Sequence, residues 1–130
     1  MITGACHCQS VKYEIHGDIK KIVNCHCQLC RGMNGAAFST YAVALQSDFK
    51  LVAGELAHFN VTDNATKHFC PTCGTAIFNR NAKLAGLNML YFGTIQAATA
   101  MKPDVNVFCE SKLDWLAQVL DAPCFEQGIA

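Results

Sequence analysis

Cysteine spacing is the feature of this sequence that most constrains its fold. Of the nine cysteines in the 130 residues, seven fall into three tight groups: Cys6 and Cys8; Cys25, Cys27 and Cys30; Cys70 and Cys73. Closely spaced thiolates suit a soft divalent metal, which takes tetrahedral sulfur ligands at about 2.3 Å. A metal shared between groups would close a long loop of the chain, so the cysteine pattern restricts which segments can be neighbours.

The first and third groups together supply four thiolates. Cys6 and Cys8 are two residues apart, so on an extended backbone their sulfurs leave on the same side. With Cys70 and Cys73 they form a closed set of the kind found in structural zinc sites, where metal binding contributes to folding free energy. Iron is an alternative metal, because sulfur tetrahedra suit both. A redox dithiol at 70–73 is the other interpretation, but that motif belongs to a strand-helix-strand unit and this one lies among predicted strands.

The second group supplies three thiolates, from Cys25, Cys27 and Cys30. Three protein ligands leave one corner of a tetrahedron for water or substrate, which distinguishes a catalytic zinc from a structural one. The alternative is a second closed site with Cys109 or Cys124 as fourth ligand. Cys109 lies in an apolar strand context and Cys124 follows a proline near the chain end, where lone cysteines behave as small apolar residues or idle thiols. The sequence therefore favours the three-cysteine site.

Three further side chains lie close to these groups in the sequence. His7 and His26 each sit inside a Cys-x-Cys pair, so their side chains are expected to point away from the metal that their neighbours bind. Arg31 follows the second group directly and could bind a substrate carboxylate bidentately. The alternative for Arg31 is a solvated loop side chain.

The charge of the second group indicates its chemistry. Zinc with three thiolates has a formal charge of minus one, so it lowers the pKa of bound water less than zinc held by neutral imidazoles, and hydrolysis is disfavoured. A thiol substrate is a better fourth ligand, because coordination deprotonates it. An aldehyde could then add to that sulfur or be released from it.

Hydrophobic patterning predicts a β-rich chain of one domain, residues 1–130. Alternating or β-branched segments predict strands at 11–15, 21–23, 37–45, 49–52, 57–62, 66–69, 76–79, 90–94 and 105–108. Helical spacing occurs only at 113–120, which predicts one short helix near the C-terminus.

Charge and hydropathy exclude several classes of partner. The formal net charge is zero, and the sequence has no basic cluster that would bind nucleic acid. No segment has the length and apolar character of a membrane span, and the first residues do not form a signal peptide. We expect a cytoplasmic protein. A disulfide scaffold would need an oxidising compartment, and the odd number of cysteines would leave one unpaired.

The ordered cysteines resemble those of the glutathione-dependent formaldehyde-activating enzyme family, which includes the centromere protein V domain. The matching segments cover nearly the whole chain: 4–8 followed by 11–13, then 25–31, 69–74, 91–94, and 110–112 with Trp115. The resemblance implies a mainly β, tent-like fold of small antiparallel sheets. It also implies two zinc ions, one structural at Cys6, Cys8, Cys70 and Cys73 and one catalytic at Cys25, Cys27 and Cys30.

The activity that the resemblance implies is that of a carbon-sulfur lyase. Such an enzyme would join glutathione and formaldehyde into S-hydroxymethylglutathione, or handle a related adduct of a small thiol and a small aldehyde. The alternative function is a non-catalytic binding module in which both zinc sites are structural. A protein sulfur as fourth ligand beside Cys25 would favour the module. A chromatin-binding role would need a basic segment, which the sequence lacks.

Overall fold

Two β-sheets form the frame of the protein in the computed structural model, which describes residues 1–129. Within that range the strands are β1 Ile2–Ala5, β2 Lys12–Ile15, β3 Lys21–Cys25, β4 Ser39–Leu45, β5 Phe49–Ala53, β6 Ala57–Asn60, β7 Ala65–Phe69, β8 Ala76–Asn81, β9 Leu87–Tyr91 and β10 Val105–Val107. The small sheet has the order β1-β2-β5, and the large sheet has the order β10-β3-β4-β9-β8-β7-β6. The predicted mainly β fold is confirmed.

All nine predicted strands are present, with shifted boundaries. The largest shift is at β9, because residues Phe92–Thr94 form a 3-10 turn instead of continuing the strand. The sequence did not predict β1, which pairs with β2 through Ile2 opposite Ile15. Neighbouring strands are antiparallel except β10 and β3, which run parallel. The carboxylate of Asp104 accepts a hydrogen bond of 2.8 Å from the backbone N–H of Ile22 and helps to fix this edge pairing.

The two faces of the large sheet have different neighbours. We call the face that packs on the small sheet the inner face and the opposite one the outer face. Along β4 the side chains alternate, so Ala42 and Ala44 are buried in the core that contains Tyr13 of the small sheet. Tyr41 packs in a separate buried cluster with Met89 and two cysteines of the second group. The outer face therefore carries the second cysteine group.

One short α-helix, α1 at Gln28–Asn34, was not predicted. Its capping is local: the sulfur of Cys27 accepts a hydrogen bond from the N–H of Cys30, and Gly35 ends the helix with φ of 62°. The segment contains Gly32, a poor helix former, and it is too short to show a clear apolar period. Packing against the outer face therefore provides the stability that the low helix propensity of this segment does not.

The helical segment predicted near the C-terminus forms at Asp114–Asp121, as a 3-10 helix. Most of its apolar side chains are exposed, including Trp115, Val119 and Leu120. Because these side chains are not buried, tertiary packing does not impose the α-helical period that their spacing suggested. Within residues 1–129, no helix is long and apolar enough to cross a membrane.

Candidate metal centres

The first cysteine cluster joins the two sheets. Cys6 follows β1 of the small sheet, and Cys70 follows β7 of the large one. The sulfur of Cys8 lies 3.6 Å from that of Cys6 and 3.8 Å from that of Cys70, and all four sulfurs, including that of Cys73, lie within 4.8 Å of one another. A tetrahedron with metal–sulfur bonds of about 2.3 Å has edges of about 3.8 Å, so this donor set fits a metal ion.

Backbone and hydroxyl groups around the first cluster favour thiolates. The N–H of Val11 donates to the sulfur of Cys6 over 3.3 Å, and Ser10 Oγ lies 3.0 Å from the sulfur of Cys8. A hydrogen bond from the Thr75 hydroxyl, 3.1 Å from the sulfur, lowers the pKa of the Cys73 thiol to about 5. Gly74 has φ of 78°, the left-handed conformation that closes the turn after the cysteine pair. The turn thus presents sulfurs ready to be deprotonated.

The second cluster is local in sequence. Cys25 ends β3, Cys27 caps α1 and Cys30 lies in its first turn. The sulfur of Cys25 lies 3.5 Å from that of Cys27 and 3.5 Å from that of Cys30. Three sulfurs at these distances also fit a metal ion. Cys109 and Cys124 are both exposed and lie outside this group, which among residues 1–129 contains no fourth histidine, cysteine or carboxylate.

Hydrogen bonds within the second cluster separate the acidities of its thiols. The hydrogen bond with the Cys30 thiol lowers the pKa of the Cys25 thiol to about 5. The same contact raises the pKa of Cys30 above its usual value, and burial raises it further. Of these two sulfurs, that of Cys25 is the more readily present as a thiolate, and that of Cys30 depends more on a cation.

Tyr41 contacts the second cluster from the outer face, a role that the sequence did not predict. Its ring is buried, and its hydroxyl donates to the sulfur of Cys30 over 3.3 Å. The same oxygen accepts hydrogen bonds of 3.2 Å from the side-chain amides of Asn34 and Asn79. Since two N–H donors occupy the lone pairs of this oxygen, its own proton is directed at the sulfur.

A second tyrosine completes this polar network. The hydroxyl of Tyr91 donates to Asn34 Oδ1 at 2.8 Å and lies 3.0 Å from Asn79 Oδ1, and its ring meets that of Tyr41 edge to face. Lys67 donates to Asn34 Oδ1 over 2.9 Å. These residues come from α1 and four strands that are distant in the sequence. The only sequence signal for their shared position is the alternation that places each of them on one face of its strand.

The side chains of Arg31 and His26 link the second cluster to neighbouring segments. One guanidinium nitrogen of Arg31, Nη1, donates to the carbonyl oxygens of His26 and Ser111, at 3.0 and 2.6 Å. The buried ring of His26 pairs through Nε2 with Asn106 Oδ1 over 2.9 Å. The side chain of His26 thus points toward β10, away from the sulfurs, as the Cys-x-Cys spacing predicted.

A cavity of about 260 Å³ adjoins the second cluster on the outer face. The side chains of Cys25, Cys27 and Cys30 form part of its wall, together with Tyr41. The fold and the two sulfur clusters therefore define a small β protein with one potential metal site between its sheets and another beside a cavity.

Comparison with known proteins identifies the family of this chain. The model of the family described as glutathione-dependent formaldehyde-activating enzyme matches residues 1–111, and the chain belongs to that family. A crystal structure of a Rhodobacter sphaeroides protein has a similar fold, with a TM-score of 0.63 and 22% sequence identity. That likeness covers 80% of this chain and 97% of the other. The family predicted from the cysteine pattern is confirmed.

Proposed function

We propose that this protein is a zinc-dependent carbon-sulfur lyase that makes or breaks the adduct of a small thiol and a small aldehyde. Glutathione and formaldehyde are the pair that the family description suggests. The observation that carries the proposal is the cluster of three sulfurs, rather than four, in the wall of a cavity. A site closed by a protein sulfur would be expected of a purely structural metal.

The donor sets support zinc as the metal. Sulfur-only tetrahedra suit zinc, and both clusters have sulfur–sulfur distances that match it. We assign Cys6, Cys8, Cys70 and Cys73 to a structural zinc and Cys25, Cys27 and Cys30 to a catalytic one. When bound at the second cluster, zinc would supply the positive charge that deprotonates a coordinating substrate thiol.

The reaction balances without a further reactant. The substrate sulfur forms a bond to the carbonyl carbon, the carbonyl double bond becomes a single bond, and the proton lost by the thiol ends on the new hydroxyl oxygen. The chain's own part is to hold the reactants together in the cavity. Cys25, Cys27 and Cys30 would hold the zinc in the wall of that cavity, and the hydroxyl of Tyr41 donates a hydrogen bond to the sulfur of Cys30.

We also propose that residues 1–130 form one domain and that the protein works in the cytoplasm. The first cluster and the shared core join the two sheets, which supports a single domain. The cysteines of the structure are unpaired, and a reducing compartment keeps such thiols available for metal.

The test is catalysis of adduct exchange. Purified protein loaded with zinc is mixed with a thiol and ¹³C-formaldehyde, and exchange between free and sulfur-bound formaldehyde is followed by NMR. We expect exchange well above the spontaneous rate, and its loss in Cys27→Ser. The control is Cys109→Ser, which removes an exposed cysteine outside both clusters. Exchange no faster than in buffer, for every thiol tried, would favour the binding module instead.

A further inference from the structure

The cavity beside the second cluster is lined mainly by apolar side chains. It lies between the outer face of the large sheet, α1 and the segment that follows β10. Its wall includes Val23, Met33, Val61, Leu84, Met89 and Phe108. Leu84 and Phe108 are about half exposed and lie where the cavity meets the surface, so the entrance is apolar as well.

Apart from the three cysteines, the lining residues that the structure describes include one charged side chain, that of Arg80. Among them there is no acidic residue and no lysine. Arg80 is one of the lining residues, but its guanidinium carbon lies 4.9 Å from the ring centre of Phe78 on the inner face, and its Nε donates to Asn88 Oδ1. The polar side chains that line the cavity, such as Asn81, are neutral.

Glutathione and formaldehyde match this cavity poorly. Glutathione carries two carboxylates and an ammonium group, and a charge taken from water without a partner costs several kcal/mol. Formaldehyde has two non-hydrogen atoms, whereas about 260 Å³ is the space of eight or nine water molecules at roughly 30 Å³ each. An uncharged hydrocarbon group would fill the cavity and gain from leaving water.

We propose that the preferred substrate of this protein is an adduct that carries an uncharged, apolar organic group, and that this cavity binds that group. The proposal rests on the lyase function proposed above and narrows its substrate class. The apolar group has two possible sources, the thiol or the aldehyde. In either case the adduct forms by the same balanced addition of sulfur to the carbonyl carbon.

The first test measures binding without turnover. The protein is labelled with ¹³C at its methionine methyl groups and titrated with 1-hexanol, an apolar probe that is neither a thiol nor an aldehyde. Met33 and Met89 line the cavity, whereas Met1 and Met101 do not and serve as internal controls. We expect saturable shifts of the Met33 and Met89 signals only. Unmoved signals of both residues would overturn the proposal.

The second test compares reactant pairs. Catalysed rates are measured for glutathione with formaldehyde, 1-propanethiol with formaldehyde, and glutathione with hexanal. We expect kcat/KM to rise at least tenfold for one of the two apolar pairs, and the pair that gains identifies the source of the apolar group. The highest kcat/KM for glutathione with formaldehyde would overturn the proposal.

A charge placed at the entrance gives a matched variant. Leu84→Lys adds a cation beside the cavity at a residue that is 48% exposed, so the fold should tolerate it. We expect it to shift the ratio of kcat/KM toward glutathione with formaldehyde by at least fivefold. The control Val52→Lys changes a residue that is 44% exposed on the small sheet, and it should leave the ratio unchanged. An equal shift in both variants would contradict the assignment of the cavity.

The two proposals can fail separately. If no thiol and aldehyde pair reacts faster than in buffer, the lyase function is wrong, and the hexanol titration alone decides whether the cavity binds apolar groups. If catalysis is present but favours the charged pair, the function stands and the substrate class is wrong.

Discussion

Tyr41 shows how a single side chain can tune the second cluster. Its hydroxyl has one proton, and the amides of Asn34 and Asn79 direct that proton to the sulfur of Cys30. A hydrogen bond to a ligating sulfur reduces the negative charge that the sulfur shares with a metal. Partners of this kind typically change metal affinity or activity by about 10- to 100-fold.

We therefore expect Tyr41→Phe to fold and to lose at least about tenfold in adduct exchange. The ring still fills its place in the core, but two amide donors and one sulfur lose their partner. Activity is measured by the NMR exchange assay, and cobalt substitution reports the sulfur-to-metal absorption band, which a purely structural role would not move. Tyr13→Phe, the same change on the small sheet, is the control. An unaltered absorption band together with full activity would refute the role of Tyr41.

Tyr13 makes a different contribution, through its protonation. Its ring is buried, its hydroxyl lies 2.8 Å from Thr94 Oγ1, and burial raises the pKa of Tyr13 to about 12. In the unfolded chain the value is about 10. Between those values the unfolded chain releases the proton and the folded chain keeps it, so stability is present below pH 10 and is lost as the pH rises through 12.

The expected size of this effect is about 1.3 kcal/mol between pH 9 and pH 11, from 1.36 kcal/mol per pKa unit. Urea unfolding of the natural protein and of Tyr13→Phe at both pH values gives the measurement. The stability advantage of the natural protein over the variant should shrink by that amount. Parallel pH curves for the two proteins would show that Tyr13 ionises equally in both states.

At the scale of elements, α1 is the element that brings the sulfurs of the second cluster together. It supplies two of the three sulfurs, and its first turn is held by the sulfur of Cys27 itself. Arg31 extends from this helix and bonds the carbonyls of His26, just after β3, and of Ser111, after β10. One guanidinium group thus connects α1 with the segment after β3 and the segment after β10.

We expect Arg31→Ala to lower the free energy of unfolding by about 2 kcal/mol, the usual value for hydrogen bonds from a charged donor. KM for the thiol should stay within about twofold, because Arg31 does not line the cavity and its Nη1 is held by two carbonyl oxygens. Thermal and urea unfolding measure the first effect and adduct exchange the second. Lys50→Ala, at an exposed position, is the control. A large rise in KM with unchanged stability would instead support binding of a substrate carboxylate.

On the scale of the whole molecule, the two clusters differ in how much chain they close. The contact between Cys8 and Cys70 spans 62 positions, and that between Cys25 and Cys30 spans 5. Cross-links that close loops of these lengths destabilise the unfolded chain by lowering its entropy. The free-energy effect is about 4 kcal/mol for the longer loop and about 2 kcal/mol for the shorter one. The first cluster also joins the small sheet to the large one, whereas the second lies on one face of the large sheet.

Cys70→Ser should therefore unfold or aggregate, whereas Cys27→Ser should stay folded and lose adduct exchange. Circular dichroism and the exchange assay on both variants measure the two effects. Loss of fold in both variants to the same degree would refute this division between the clusters.

Removal of metal should follow the same order. A strong chelator is expected to inactivate the protein first and to unfold it later, because the second cluster offers three sulfurs and adjoins a cavity, while the first offers four sulfurs that join the two sheets. Activity and circular dichroism are followed in parallel during dialysis. Simultaneous loss of both signals would indicate that the two metals are equally structural.

The sequence by itself determined nine of the ten strands and the two cysteine sets. Strand alternation and thiol spacing are local properties, because a period of two sets the face of a strand and short spacings set which sulfurs can share a metal. The same cysteine order was enough to predict the family.

Only the tertiary structure decided what surrounds the second cluster. Tyr41 and Asn79 are 38 positions apart and meet because β4 and β8 both pack against β9, and α1 forms because that sheet supports it. The apolar cavity arises in the same way, from residues of several strands, α1 and the segment after β10. Contacts of this kind depend on which strands are neighbours, and strand order is set by the burial of whole faces rather than by any local pattern.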